Sequence, residues 1–206
     1  MLLCALALTA CTLPQQLMLM LLPDETFTTL LANLRGVDET NRAQLAALEQ
    51  RGDWPGVLAF AERNIARDPH TPEWWFVKGT AYGRLGDWRA AGTAFAQTVR
   101  LDPNELDGWH MLAQSQRLAG ESDRAAQSLE RSLAITRESP VTFFLLGETY
   151  RGARRMPQAI AAYQEAVRLE PRFSEALAGL ARAQHRAGDD AGRDRTLARL
   201  RTLNAA

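Results

Sequence analysis

PEWWFVKGTAYGRLGDWRAAGTAFAQTVRLDPNE, residues 72–105, is the stretch that decides the fold. It holds two segments whose apolar residues stand three and four apart, the spacing of one helix face. Gly86-Asp87 separates the segments and Asp102-Pro103 closes the second. This punctuation recurs on a 34-residue grid. Glycine stands at 52, 86, 120 and 188, with Arg154 at the one gap; proline stands at 69, 103 and 171, with Arg137 at its gap. Two marks on one period mean a repeated structural unit. A glycine ends the first helix of each unit, and an acidic residue suits the start of the next. A residue before proline is biased away from helix, so Asp68-Pro69, Asp102-Pro103 and Glu170-Pro171 stop the second. One helix pair cannot bury its own apolar stripe, so the units must stack.

Rows of 34 residues begin at Asp38, Pro72, Leu106, Pro140 and Ser174. The second row carries Trp75, Gly79, Tyr82, Gly86, Trp88, Ala91, Phe95 and Pro103 in the places a tetratricopeptide repeat uses. Phe143, Leu146, Gly147, Tyr150, Ala159, Tyr163, Ala166 and Pro171 repeat that phase in the fourth. The first row is degenerate but keeps Leu45, Leu48, Gly52, Trp54 and Pro69 in register. The chain therefore resembles a tetratricopeptide array. The resemblance implies an all-α, right-handed α-α superhelix of about five helix-turn-helix repeats: 38–71, 72–105, 106–139, 140–173 and 174–206. Ahead of it, residues 24–34 carry apolar side chains at helical spacing and predict a preceding helix. The last helix, about 190–203, reads as the cap, since terminal repeats need a polar outer side. Arg154 at a glycine place, and a helix stop moved three residues to Ser139-Pro140, predict an irregular junction between repeats three and four.

The bulk numbers bound the function. The 206 residues carry 24 basic and 24 acidic side chains, so nothing general attracts nucleic acid. Residues 1–150 hold 13 basic and 18 acidic side chains, and residues 151–206 hold 11 and 6, which leaves the C-terminal quarter positive. Both cysteines, Cys4 and Cys11, lie in the first eleven residues, so no disulfide, thiolate metal site or cysteine nucleophile is available beyond them. His70, His110 and His185 stand far apart without a second ligand at helical spacing. No phosphate loop follows a strand and no nucleophile elbow occurs. The expectation is a non-enzyme with no cofactor and no metal.

Residues 1–10, MLLCALALTA, form an apolar run ahead of Cys11, too short to span a bilayer and suited to a secretory signal. Leu8-Thr9-Ala10-Cys11 resembles a bacterial lipobox. In such signals cleavage precedes the cysteine, whose sulfur receives a diacylglycerol, so the resemblance implies a lipid anchor on Cys11 and a tether over 11–37. The match departs in two respects: no Lys or Arg precedes the run, and residues 17–22 are apolar where a polar tether is usual. Thr12 after the cysteine implies sorting to the periplasmic face of a Gram-negative outer membrane, the alternative being the inner membrane.

The resemblance also implies where binding occurs, because the first helix of each repeat lines a concave groove. The groove-facing places are Phe76, Thr80 and Arg84, then His110, Gln114 and Arg117, then Phe144, Glu148 and Arg151, then Arg182 and His185. Phe76 and Phe144 fall outside the packing positions and are candidate peptide anchors, or else pack on a neighbouring repeat. The recurring arginines are suited to gripping carboxylates, or else form local pairs such as Glu148 with Arg151 or Arg182. The leading expectation is a membrane-anchored scaffold for protein–protein interaction in the bacterial envelope, in pilus or secretin assembly or cell-wall enzyme recruitment. The alternative is an accessory of exopolysaccharide or other envelope export that binds glycan or a small ligand. A third reading has residues 17–22 entering a neighbour's groove to form a homo-oligomer.

Overall fold

The computed structural model describes residues 39–204, and every regular element among them is helical. The helices run in pairs: α1 Glu39–Gln50 with α2 Trp54–Arg67, α3 Pro72–Arg84 with α4 Trp88–Leu101, and α5 Leu106–Leu118 with α6 Ser122–Ile135. Then follow α7 Pro140–Gly152 with α8 Met156–Leu169, and α9 Ser174–Arg186 with α10 Asp190–Asn204. Each pair packs on the next to form the superhelix of the tetratricopeptide type. The signal segment, Cys11, the apolar residues 17–22 and the expected helix at 24–34 lie outside the described residues. Among those described, no helix is long and apolar enough to cross a membrane.

The glycine grid is a grid of helix stops. Gly52, Gly86, Gly120 and Gly188 all have positive φ. At Gly86 the amide donates to the Gly83 carbonyl at 3.1 Å and that of Asp87 to Tyr82 at 3.0 Å. This double reversal satisfies carbonyls that the helix end would leave bare. Asp53, Asp87 and Asp189 follow at once and cap the next helix, accepting the amides of Gly56, Ala90 and Gly192 at 2.8–3.0 Å. The proline grid is tied to the tryptophans: Trp75 and Trp109 donate their ring N–H to the carbonyls of Pro69 and Pro103 at 2.9 and 2.8 Å.

The expected irregularity takes a different form. Arg154 adopts φ 60°, the same left-handed conformation as the glycines, and repeats their bonds: Arg154 N–H to Arg151 at 3.1 Å, Arg155 N–H to Tyr150 at 2.8 Å. The turn is kept and a side chain bears its strain. Nor is the stop of α6 displaced. It ends at Ile135 with Thr136 extended (φ −130°, ψ 99°), matching Asp102 (−127°, 92°) after α4 and Glu170 (−130°, 92°) after α8. Proline is one way to hold that extended residue, and the stack holds it without proline at Thr136. The seam between α6 and α7 is nonetheless the least extensive of those joining successive pairs.

Small residues set how close the helices come. A Cβ on Gly79 would lie 2.8 Å from the Phe95 ring, and one on Gly147 or Gly179 would lie 2.5 or 2.6 Å from the Tyr163 ring. Tyr163, fully buried on α8, is therefore clasped between glycines of α7 and α9. Replacing Gly147 by Ala should destabilise the array by about 1–3 kcal/mol through overpacking, read from urea unfolding. Arg154→Gly should do the reverse and add about 1 kcal/mol by relieving the left-handed residue, with an upward shift in the thermal midpoint.

Candidate functional site

The grid aligns side chains as well as turns. Gln114, Glu148 and Arg182 are successive 34-residue equivalents on α5, α7 and α9, and Arg117, Arg151 and His185 are the equivalents one helical turn on. Residues three apart share a helix face, so each helix presents a pair to the inner curve. Glu148 is at the centre of this surface. Only 1% of it is exposed. Arg151 grips it with a fork, Nε to Oε1 at 3.2 Å and Nη2 to Oε2 at 2.5 Å. The Tyr163 hydroxyl donates to Oε1, and Arg182 Nη2 stands 3.9 Å from the same oxygen. Side chains from three helices of two repeats thus meet on one carboxylate.

Burial alone would push the Glu148 carboxyl up, but the bonds from Arg151 and Tyr163 and the charges of Arg151 and Arg117 outweigh it and hold it below the usual range. Burial pushes the Tyr163 phenol up, and the charge of Glu148 adds to this, so the hydroxyl keeps its proton and donates. The bond to Glu148 raises Arg151. Burial lowers Arg117, against the favourable charge of Glu148. Arg117 Nη2 and Gln114 Nε2 are both shielded from solvent and have no hydrogen-bond acceptor.

Other candidates lie elsewhere. Phe76 and Phe144 are core residues, 6% and 2% exposed. Phe76 packs edge-on to Phe95, ring centroids 5.2 Å apart, because Gly79 leaves that ring room; Phe144 packs on Tyr163 and Phe173. Neither is presented to a partner. Thr80 is fully buried, its hydroxyl donating back to the Phe76 carbonyl at 3.0 Å. Arg84 stacks on Trp54, 5.0 Å from guanidinium to ring centroid, and faces the first repeat. His110 belongs to a hydroxyl network across the α6–α7 seam, its Nε2 2.8 Å from Thr142 Oγ1 and 3.0 Å from Ser132 Oγ. Burial lowers its pKa, so it serves there as the neutral ring. His185 is exposed and turns to α10, with Nδ1 3.1 Å from Arg193 Nη1.

The polar cluster therefore lies in repeats three to five. Gln114, Arg117, Glu148, Arg151 and Arg182 hold its aligned places, and Tyr163 is the member that sequence reasoning missed. Its place in the repeat marked it for the core, and the spacing says nothing of where its hydroxyl ends. No trio of His, Cys, Asp or Glu able to hold a metal occurs among the described residues.

A stack of helix pairs with a charged concave face defines a repeat protein of the tetratricopeptide class. The tetratricopeptide repeat family model matches residues 76–140 and 144–192, more than half of the chain, and the chain belongs to that family. Among solved structures it resembles MamA, with TM-score 0.71 at 19% identity over 77% of this chain and 93% of that one. It also resembles MamA of Desulfovibrio magneticus RS-1, with TM-score 0.72 at 22% identity over 81% and 94%. A third likeness is to YrrB, described as a TPR protein with an unusual peptide-binding site, with TM-score 0.63 at 14% identity over 77% and 82%. At such identities these likenesses speak for the fold. No curated protein matches the sequence.

Removing the carboxylate of Glu148 leaves buried guanidinium charge uncompensated. Glu148→Gln should cost about 3 kcal/mol or more at neutral pH. Because the folded-state pKa of Glu148 is depressed, its contribution is complete above the unfolded value, about 4.3, and is lost as pH falls through the folded one. Thermal midpoints of wild type and Glu148→Gln should therefore begin to approach each other as pH falls below about 4.3 and meet only below the depressed folded-state pKa.

Proposed function

We propose that this protein is a scaffold whose concave surface over repeats three to five holds a segment of a partner protein. The observation that carries the reading is the gathering of Arg117, Arg151 and Arg182, from α5, α7 and α9, about the buried carboxylate of Glu148. A surface assembled from three repeats suits an extended or helical segment spanning them, and charged groups fixed by packing give orientation and specificity. The YrrB structure, described as having an unusual peptide-binding site, is consistent with such a use of the fold. The lipobox-like Leu8-Thr9-Ala10-Cys11 would confine the scaffold to a membrane of the bacterial envelope, with pilus or secretin assembly, or recruitment of cell-wall enzymes, as settings. For the glycan-binding alternative, Phe76 and Phe144 offer no exposed ring on which a sugar could stack, since both are in the core.

Capture of partners from detergent-solubilised membranes, with the full chain as bait, is the test. Arg117→Glu together with Arg182→Glu should abolish capture while the helical circular-dichroism signal is kept. Capture that survives this double change places binding elsewhere. Cys11→Ser should release the chain from membranes on fractionation; unchanged retention would sink the lipid anchor.

A further inference from the structure

The second helices of the repeats form the outer curve, and between α8 and α10, over α9, that curve opens into a cavity of about 580 Å³. This is the size of a cleft for a small organic ligand. The 34-residue grid shows what keeps it open. Repeats two and four pair a ring with a methyl, Tyr82 with Ala94 and Tyr150 with Ala162; repeats three and five have Gln116 with Ser128 and Gln184 with Thr196. The Thr196 hydroxyl donates to Gln184 Oε1 at 2.8 Å, as Ser128 does to Gln116 at 2.7 Å. That bond uses the carbonyl oxygen and leaves the Gln184 amide N–H groups for another acceptor. In repeat three Arg124 stands at the place of Gly192, which lines the cavity without a side chain. Charge sets the cavity apart as well. Arg168, Arg195 and Arg199 line it and no acidic side chain does; one repeat earlier those places hold Ala134, Ala161 and Glu165. Arg195 and Arg199 are exposed and four apart on α10, and neither has a hydrogen bond or ion pair among the described residues. Like charges at that spacing repel. Arg168 lines the opposite wall and commits only its Nε, to Glu165 at 2.8 Å. Beneath them lie the buried Val167 and Leu180, with Pro171 beside them. A solvated helix face accounts for exposed arginines, but not for three of them gathered over an apolar floor.

We propose that the cavity between α8 and α10 binds a phosphate monoester with an apolar body. Arg168, Arg195 and Arg199 receive the phosphate, whose oxygens accept from several guanidinium groups at once. The Gln184 amide adds a neutral donor, and the apolar body lies on Val167, Leu180 and Pro171. Because the arginines are exposed, the interaction weakens with salt. The site is on the opposite face from the groove and is independent of what the groove holds.

The test is calorimetric titration of the full chain with hexyl phosphate, inorganic phosphate, hexanoate and hexanol. Hexyl phosphate should bind at least tenfold more tightly than the other three. Parity with hexanoate overturns the choice of phosphate, parity with inorganic phosphate the apolar floor, and parity with hexanol the arginines; no binding of hexyl phosphate overturns the site. Arg195→Gln together with Arg199→Gln should weaken hexyl phosphate at least tenfold. Arg89→Gln together with Arg201→Gln removes the same charge away from the cavity and should leave binding unchanged; equal loss in the two double variants reduces the effect to net charge and overturns the site. The decisive variant is Gln184→Tyr with Thr196→Ala, which installs the pair that repeat four carries. It should abolish binding while the helical circular-dichroism signal is kept, and binding that survives it overturns the cavity. Co-sedimentation with phosphatidylcholine vesicles, with and without phosphatidic acid, identifies the source. Retention that needs phosphatidic acid and is lost in Arg195→Gln with Arg199→Gln assigns the phosphate to a lipid headgroup; hexyl phosphate binding without such retention assigns it to a soluble ester.

Discussion

Tyr163 is clasped between Gly147 on α7 and Gly179 on α9 while its hydroxyl meets Glu148, and the C-terminal half of the array depends on that contact. Its ring fills the space that two missing Cβ atoms leave, which sets how closely α7, α8 and α9 approach. Its hydroxyl is then carried to the inner curve, where a carboxylate would otherwise be buried with fewer donors. A single residue thus joins the packing of the solenoid to the electrostatics of its concave face. Because buried charge is tolerated only when paired and hydrogen-bonded, Glu148 can exist there only within the geometry that Tyr163 and Arg151 impose.

The two halves of the inner face differ for a related reason. In repeat two the place equivalent to Phe144 is Phe76, and both rings go inward, one against Phe95 and the other against Tyr163 and Phe173. Beyond Phe76 the second repeat offers Thr80, closed off and bonded to its own helix. Beyond Phe144 come Glu148 and Arg151. The same superhelix therefore carries a charged concavity only where its sequence places ionisable groups at those turns.

Much of the architecture was legible in the sequence because its punctuation acts locally. A glycine at C′ and an aspartate at the next cap fix a turn through bonds within four or five residues, and such chemistry survives any change of surroundings. The deviations at Arg154 and Thr136 show the other side of this. Both take the backbone conformation of their equivalents without the favoured residue, since neighbouring helices hold the chain there and local preference yields to packing. For the site, the period placed Gln114, Arg117, Glu148, Arg151 and Arg182 on the inner face. It left Phe76 and Phe144 open between groove and packing, and both are covered by adjacent rings; His110 is held in a hydroxyl network, and His185, though exposed, turns to α10, because face and environment are different properties.

By itself the sequence determined the repeat, its phase, the turns and the register that sets side chains 34 residues apart in line. Those follow from periodicity and short-range capping, which need no knowledge of neighbours. Only the tertiary structure decided which aligned residues are satisfied. It paired Glu148 with Arg151 and Tyr163, sent Phe144 into the core, turned His185 to α10, and left the donors of Gln114 and Arg117 without acceptors. Pairing depends on distances between helices, and those are set by how large side chains such as Tyr163 fit against glycines on other repeats, which no spacing along one chain expresses.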